Sequence, residues 1–191
     1  MDRRKSRFFE QKNAEIDASR ISAACPTRIE WDNLPFTSIQ SIRTFPRENY
    51  KFCLRGRVIA HRPLDIRTFT RRYCATCHSS WSDRNIQICS SCANTVDNGS
   101  FVFMFCLVVD DGTGEIPLLI CYDDGVKFLC GMKAVDLSKD SEALSHLTQI
   151  IRRLETSALP AVFCIKSYSI IEQATNEKAM RYRICDTFLN L

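Results

Sequence analysis

Four cysteines, arranged as two close pairs, are the residues of this sequence best suited to chemistry. Cys74 and Cys77 lie in the segment CATCH, Cys89 and Cys92 lie in CSSC, and eleven residues separate the two pairs. The Cys-x-x-Cys-His pattern of CATCH is the attachment site of c-type haem, and a single Cys-x-x-Cys can be a redox pair. Two such pairs at short spacing can instead hold a tetrahedral metal ion.

The presence of a second pair favours the metal. Two tight turns that each present two thiolates can meet across a short hairpin, and a closed site of four sulfurs leaves no open position for a substrate water. Haem attachment would require export to an oxidising space, and a thioredoxin-like pair would require a single motif at the start of a helix. We therefore predict structural Zn²⁺, with an iron centre or a redox pair as the alternative. The predicted ligands are Cys74, Cys77, Cys89 and Cys92.

The composition indicates one main globular domain. The chain has 191 residues, of which 45% are hydrophobic and 25% are charged. Its 26 Lys and Arg residues against 22 Asp and Glu give a net charge of +4, which is less basic than is typical of a dedicated nucleic-acid-binding domain. A signal peptide and a membrane span are not predicted, since no run of about 18 apolar residues occurs. We expect a reducing, intracellular environment, in which the remaining cysteines are small buried side chains.

The segments that flank the cysteines have the patterns of β-strands. Apolar and polar residues alternate before the first cysteine pair, and apolar runs on both sides of DDGTG predict a hairpin whose first strand is covered on both faces. The strand-like segments are residues 50–58, 64–73, 101–109, 115–122, 161–171 and 179–189.

A helix is predicted at residues 141–155, where Leu147, Ile151 and Leu154 recur at helical spacing. Five of these strands, three before the helix and two after it, predict a mainly β protein with the OB-fold, a five-stranded Greek-key barrel. We expect the zinc ribbon to be an insertion at about residues 74–92 of an OB-fold that spans residues 34–191. Residues 1–33 are expected to form a flexible or partly helical lead-in.

The motifs of common enzyme classes are not found in the sequence. There is no HExxH, no GxSxG and no phosphate-binding loop. Asp110 and Asp111 stand where a hairpin turn is needed, and a turn is the favoured interpretation over a metal site. We therefore predict a binding protein rather than an enzyme.

Basic and aromatic side chains provide candidates for binding single-stranded nucleic acid. Cationic side chains can follow phosphates, and aromatic rings can stack on bases at about 1–3 kcal/mol for each base. The alternative is a solvated outer face for the cations and a core position for most of the rings. The candidates are Lys51, Arg55, Arg57, Arg67, Arg71, Arg72, Arg181 and Arg183 for phosphates, and Phe69, Tyr73, Trp81 and Tyr122 for stacking.

Several segments together resemble the C-terminal part of the protection of telomeres family. These are FVFMFCLVVDDGTGEIPLLICYDDGVKFL at 101–129, CIKSYSI at 164–170, YRICDT at 182–187 and the two cysteine pairs, and the resemblance covers about residues 34–191. A second resemblance is to the zinc-ribbon OB-fold in the large subunit of replication protein A.

The first resemblance implies an OB-fold that docks on the bridging subunit of shelterin at the chromosome end, in the nucleus, with zinc held by Cys74, Cys77, Cys89 and Cys92. Animal members of that family carry a resolvase-like domain between the cysteine pairs, where this chain has eleven residues. The two N-terminal OB-folds that bind telomeric repeats in that family have no counterpart here, so we expect a short paralogue or one piece of a longer protein. The second resemblance implies direct binding of single-stranded DNA.

Overall fold

A computed structural model describes residues 25–30, 34–97 and 100–190 of the chain. Most of the predicted lead-in at residues 1–33 lies outside the described residues. Its described part contains a strand, β1 (Thr27–Ile29), which pairs antiparallel with the last strand, β9 (Thr187–Leu189). This short segment is therefore tied to the end of the chain.

The remaining elements are mainly strands. They are β2 (Lys51–Arg62), β3 (Thr70–Tyr73), β4 (Ser80–Trp81), β5 (Phe101–Asp110), β6 (Glu115–Cys121), β7 (Ala161–Ile171) and β8 (Lys178–Cys185). The helices are α1 (Ile39–Thr44), α2 (Tyr122–Phe128) and α3 (Ser141–Thr156).

Five strands close into a barrel, which confirms the predicted OB-fold. Neighbouring strands follow the order β2, β7, β8, β6 and β5, and β5 pairs back onto β2. The β6–β8 pair is parallel and the other barrel pairs are antiparallel. Helix α3 lies in the connection between β6 and β7, the third and fourth barrel strands, as the sequence predicts.

Strand β2 closes the barrel because it is long enough to pair on both sides. Its first half, up to Gly56, pairs with β7, and its second half, from Arg57, pairs with β5. A register shift between Val58 and Ala60 bends the strand between these partners. A Cβ atom on Gly56 would lie 2.6 Å from Cγ1 of Val109, so the close approach of β2 and β5 requires glycine here.

The core fills the barrel with large apolar side chains. Strand β5 contributes Phe103, Phe105 and Leu107, which are 0–2% exposed. Helix α3 covers the barrel with Leu147 and Ile151, among others. The helix begins where the side chain of Asp140 accepts a hydrogen bond from the backbone N–H of Ala143 at 2.9 Å.

Four local predictions are wrong. Residues 179–189 are not one strand, because Asp186, with a φ of 43°, separates β8 from β9. Residues 64–73 are not one strand, because the side chain of Asp65 caps a 3₁₀ turn at Ile66–Thr68 and only Thr70–Tyr73 is extended. Tyr122 does not end β6 but begins α2, with a φ of 48°. The outward side chains of β5 alternate as half-buried with the buried inward ones, so this strand is not fully covered on both faces.

Candidate functional site

The four cysteines of the predicted zinc site come together in the insertion between β3 and β5. Their sulfur atoms all lie within 4.8 Å of one another, with 3.6 Å between Cys74 and Cys92 and 3.3 Å between Cys77 and Cys89. A tetrahedron with Zn–S bonds of about 2.3 Å has sulfur separations of about 3.8 Å. The four cysteines are therefore positioned to bind a metal ion, and their sulfur-only donor set fits zinc.

The two cysteine pairs sit in turns of matching geometry. The backbone N–H of His78 donates to the carbonyl of Cys74 at 2.8 Å, and the N–H of Ala93 donates in the same way to Cys89 at 2.8 Å. His78 and Ala93 each directly follow a pair and have φ values of 63° and 59°. This left-handed residue reverses the chain after each Cys-x-x-Cys, so that both sulfurs of a pair point to the same side.

Hydrogen bonds and burial shift the pKa values of Cys74, Cys77 and Cys92 in different directions. Contacts from Ser79 lower the pKa of Cys77 to about 6. A backbone hydrogen bond from Cys77 lowers the pKa of Cys74. The backbone of Asn94 lowers the pKa of Cys92, but burial and the three neighbouring thiols raise it to about 12 in all. Four thiolates in such close contact repel one another, and a bound divalent cation would relieve that repulsion.

The insertion has a small core of its own around the cysteines. Cys74, Cys89 and Val96 are buried, and Trp81 and Ile86 pack against them. This cluster is separate from the large cluster inside the barrel. His78, which follows a predicted ligand, is exposed, and its Nδ1 contacts the hydroxyl of Tyr73.

Arg72 belongs to this insertion and not to a nucleic-acid surface, which corrects the prediction that it contacts phosphates. Its side chain is only 2% exposed. The guanidinium donates to the carbonyls of Asp97 at 2.8 Å, Ile86 at 2.9 Å and Val96 at 3.2 Å, and it lies 5.4 Å from the ring centre of Phe101. Arg72 thus ties the insertion to the end of β3.

Four other predicted phosphate contacts form ion pairs, three on the barrel and one, that of Arg67, at the 3₁₀ turn before β3. Lys51 Nζ lies 2.5 Å from Asp186, Arg67 Nε lies 3.0 Å from Asp65, and Arg183 Nη1 lies 3.8 Å from Asp124. Arg181 is paired with Glu172. These acids reduce the positive field that the basic residues would otherwise present to a phosphate chain.

The remaining nucleic-acid candidates are not joined into one continuous surface by the contacts of the described residues. Arg55 and Arg57 are exposed on β2 and line a shallow cavity of about 480 Å³ with the DDGTG turn. Arg71 is opposite Val102 on β5, and Trp81 is half-buried in the insertion. In the turn itself, Asp111 accepts hydrogen bonds from Ile39 N–H and Thr113 N–H at 2.8 Å each, in agreement with the turn interpretation.

The aromatic candidates differ in how far they are accessible. Phe69 is completely buried and stacks on Phe105 with ring centres 4.2 Å apart, so it cannot stack on a base. Tyr73 and Tyr122 are half-buried and their ring centres lie 5.8 Å apart. These two tyrosines and Trp81 are therefore partly accessible.

An apolar face, half-buried except at the exposed Pro117, runs across the outside of β5 and β6. On β5 it consists of Val102, Met104, Cys106 and Val108. Cys106 is opposite Leu119 on β6, and Val108 is opposite Pro117. We call these six residues the β5–β6 face. In the sequence the β5 part of this face belongs to a continuous apolar run. The run alone does not show whether the outer face of the strand is covered or exposed.

No family model and no curated protein matches this sequence. Solved structures do match it. One is a chain in the crystal structure of fission yeast Pot1 and Tpz1, with a TM-score of 0.60 and 16% identity over 85% of this chain and 96% of that chain. Another belongs to a replication protein A heterotrimer bound to single-stranded DNA, with a TM-score of 0.58 and 18% identity over 81% of this chain and 36% of that chain. At these identities the similarity establishes the fold.

Among the described residues, no helix is both long enough and apolar enough to span a membrane.

Proposed function

We propose that this chain is a telomere-protection protein, which acts in the nucleus at the chromosome end by docking on the shelterin bridging subunit or an equivalent telomere protein. Residues 34–191 would form the docking unit, with the zinc ribbon as an insertion at about 74–92. The observation that carries the proposal is the β5–β6 face, which presents apolar side chains on the outside of an OB barrel. The likeness to the Pot1–Tpz1 structure supports the same assignment.

The charges on the barrel favour a protein partner over a nucleic acid. Of the eight basic residues predicted to contact phosphates, Arg72 is buried, and Lys51, Arg67, Arg181 and Arg183 are each within 4.0 Å of a carboxylate. Affinity for single strands depends strongly on the number of phosphates that are neutralised. A protein partner needs apolar complementarity instead, which the β5–β6 face offers.

Zinc has a structural role in this proposal. Cys74, Cys77, Cys89 and Cys92 would hold the ion, and they would leave no ligand position free for a substrate. The ion would join the two cysteine turns of an insertion whose own core is small. Such ligation contributes roughly 10–16 kcal/mol to the folding of small zinc domains.

Isothermal titration calorimetry with the purified bridging subunit tests the docking proposal. We expect saturable binding at one site per chain. The variant Val108→Glu places a charge in the β5–β6 face and should weaken binding at least tenfold. Ile171→Glu is the matched control, because Ile171 is an exposed apolar residue at the far end of β7 and its replacement should leave the affinity unchanged. Equal effects of the two variants, or no binding at all, would refute docking through this face.

Direct binding of single-stranded DNA is the second candidate. Arg55 and Arg57 favour it, since both are exposed beside the shallow cavity at the DDGTG turn, and none of their charged groups is within 4.0 Å of a carboxylate in the described part of the chain. Arg71 and Trp81 would have to extend this surface. A site with so few cations would bind weakly and would lose its affinity as salt rises.

A further inference from the structure

Two cysteines outside the zinc cluster face each other across the barrel strands. Cys164 on β7 is directly opposite Cys185 on β8, and their sulfur atoms are 3.6 Å apart. Cys164 is completely buried and Cys185 is 6% exposed. From the sequence both are expected to be small buried side chains, because 20 residues separate them and only the strand register brings them together.

The backbone at this position suits a disulfide. Directly opposite residues of an antiparallel pair have Cα atoms about 4.5–5.5 Å apart. Disulfides span Cα separations of about 4.4–6.8 Å, so the strands need not move for a bond to form. The hydroxyl of Thr187 holds the position, because it accepts the Cys164 N–H at 2.9 Å and donates to the Cys185 carbonyl at 2.8 Å.

The surroundings favour a disulfide over a divalent cation. A carboxylate oxygen of Asp186 lies within 4.8 Å of both sulfurs, which by itself would suggest a three-ligand metal site. Lys51 Nζ, however, lies 2.5 Å from Oδ2 of Asp186. The ammonium would repel a divalent cation and compete for its carboxylate ligand, whereas it favours a nearby thiolate.

We infer that Cys164 and Cys185 form an oxidation site that closes to a reversible disulfide between β7 and β8. The inference is independent of the proposed docking function. With hydrogen peroxide as oxidant, one sulfur attacks a peroxide oxygen, the O–O bond breaks, and a sulfenic acid and a water form. The second sulfur then attacks the oxidised one, forms the S–S bond and releases the second water. Two thiols and one peroxide thus yield one disulfide and two waters.

The acidity of the pair is consistent with this chemistry. A hydrogen bond from Cys185 lowers the pKa of the Cys164 thiol, and the Lys51 ammonium acts in the same direction, against the opposing effects of burial and of Asp186. The pKa of Cys185 is raised by its contact with Cys164 and by burial. One sulfur of the pair is therefore the better thiolate, and the first step requires a thiolate.

Peptide mapping tests the inference directly on the zinc-loaded chain. The protein is treated with hydrogen peroxide, its free thiols are alkylated, and it is digested with trypsin without reduction. Cleavage gives residues 154–166 and 184–191, each with a single cysteine, so a linked peptide identifies the bond without ambiguity. We expect this linked species, its disappearance on reduction, and a melting temperature about 5–10 °C higher in the oxidised protein.

Three variants control the measurement. Cys185→Ser and Cys164→Ser, made separately, should each abolish the linked peptide and the rise in melting temperature while the zinc content stays unchanged. Cys121→Ser is the matched control, since Cys121 is buried on the neighbouring strand β6 and should leave the linkage intact. The inference fails if residues 164 and 185 remain reduced in the wild-type chain under peroxide. It also fails if the wild type holds a second equivalent of metal that Cys185→Ser loses.

Discussion

Arg71 and Arg72 are neighbours in the chain with opposite environments. Arg71 is half-exposed beside the outer face of β5, while Arg72 points into the insertion and donates to three backbone carbonyls. Strand alternation places such neighbours on opposite sides, but it does not show which side is covered. The covering residues are Ile86, which lies between the two cysteine pairs, and Val96 and Asp97, which follow the second pair, so they are 14 to 25 positions along the chain.

Replacing Arg72 tests its role as a structural residue. Arg72→Met keeps an unbranched apolar stem but leaves the carbonyls of Ile86 and Val96 without the guanidinium donor, while the carbonyl of Asp97 keeps the N–H of Ser100 at 3.0 Å. We expect a loss of about 2–4 kcal/mol in the free energy of unfolding, because buried carbonyls without partners are costly. Urea denaturation measures the loss. Arg71→Met is the control and should cost less than about 0.5 kcal/mol. Equal costs would contradict the structural assignment.

The metal assignment is tested at a single cysteine. Cys77→Ser removes one of four sulfurs, and we expect metal content to fall from about one zinc per chain to nearly none after dialysis against a mild chelator. Cys130→Ser is the control, because Cys130 is exposed and lies outside the cluster. Metal analysis of both purified proteins gives the answer. Retention of zinc by Cys77→Ser would show that the ion is held elsewhere.

The strands of the barrel could be predicted because their pattern is local. Alternation and apolar runs located β2, β5, β6, β7 and β8 to within a few residues, and helical spacing located α3. The prediction of a strand at residues 64–73 was wrong because Ile66, Thr68 and Thr70 recur at every second position, as they would in a strand. In that pattern Phe69 fell on the polar face, yet it is fully buried against Phe105. Packing in the finished barrel overrides the local pattern there.

The close approach of β2 and β5 depends on one glycine. Gly56→Ala would bring a Cβ atom to 2.6 Å from Cγ1 of Val109 and 2.8 Å from the carbonyl oxygen of Asp110. Backbone cannot yield easily, so we expect a loss of about 1–3 kcal/mol in the free energy of unfolding. Ala60→Ser lies on the same strand at a half-buried position and should be nearly neutral. A denaturation midpoint for Gly56→Ala that equals the wild-type value would show that β2 and β5 separate without cost.

The candidate site could be predicted only in part, because only some of its features follow from local sequence patterns. The four zinc ligands follow from two short motifs, whereas two of the four ion pairs that engage the basic residues, Lys51–Asp186 and Arg183–Asp124, join distant parts of the chain. Lys51 and Asp186, for example, are 135 positions apart. Sequence alone therefore overestimated the positive surface available to a nucleic acid.

Barrel and insertion have separate hydrophobic clusters, so they should respond separately to loss of metal. Removing zinc with a strong chelator should disorder the insertion and leave the barrel folded. Trp81 reports on the insertion, and the variant Trp31→Phe removes the other tryptophan of the sequence. We expect a red shift in Trp81 emission with little change in the far-ultraviolet circular dichroism of the strands. Loss of both signals together would show that the two units fold as one.

The molecule as a whole presents an OB barrel with a half-buried apolar outer face, and five of the eight basic residues that were candidates for phosphate contacts are buried or ion-paired. This arrangement is the basis for proposing docking rather than direct DNA binding. Fluorescence anisotropy tests that claim most directly, with labelled telomeric-repeat and scrambled single strands added to the zinc-loaded chain at low and high salt. We predict binding that is weak, independent of sequence and lost at high salt. Tight binding that prefers the telomeric repeat and survives high salt would contradict the account and would show that this barrel recognises DNA itself.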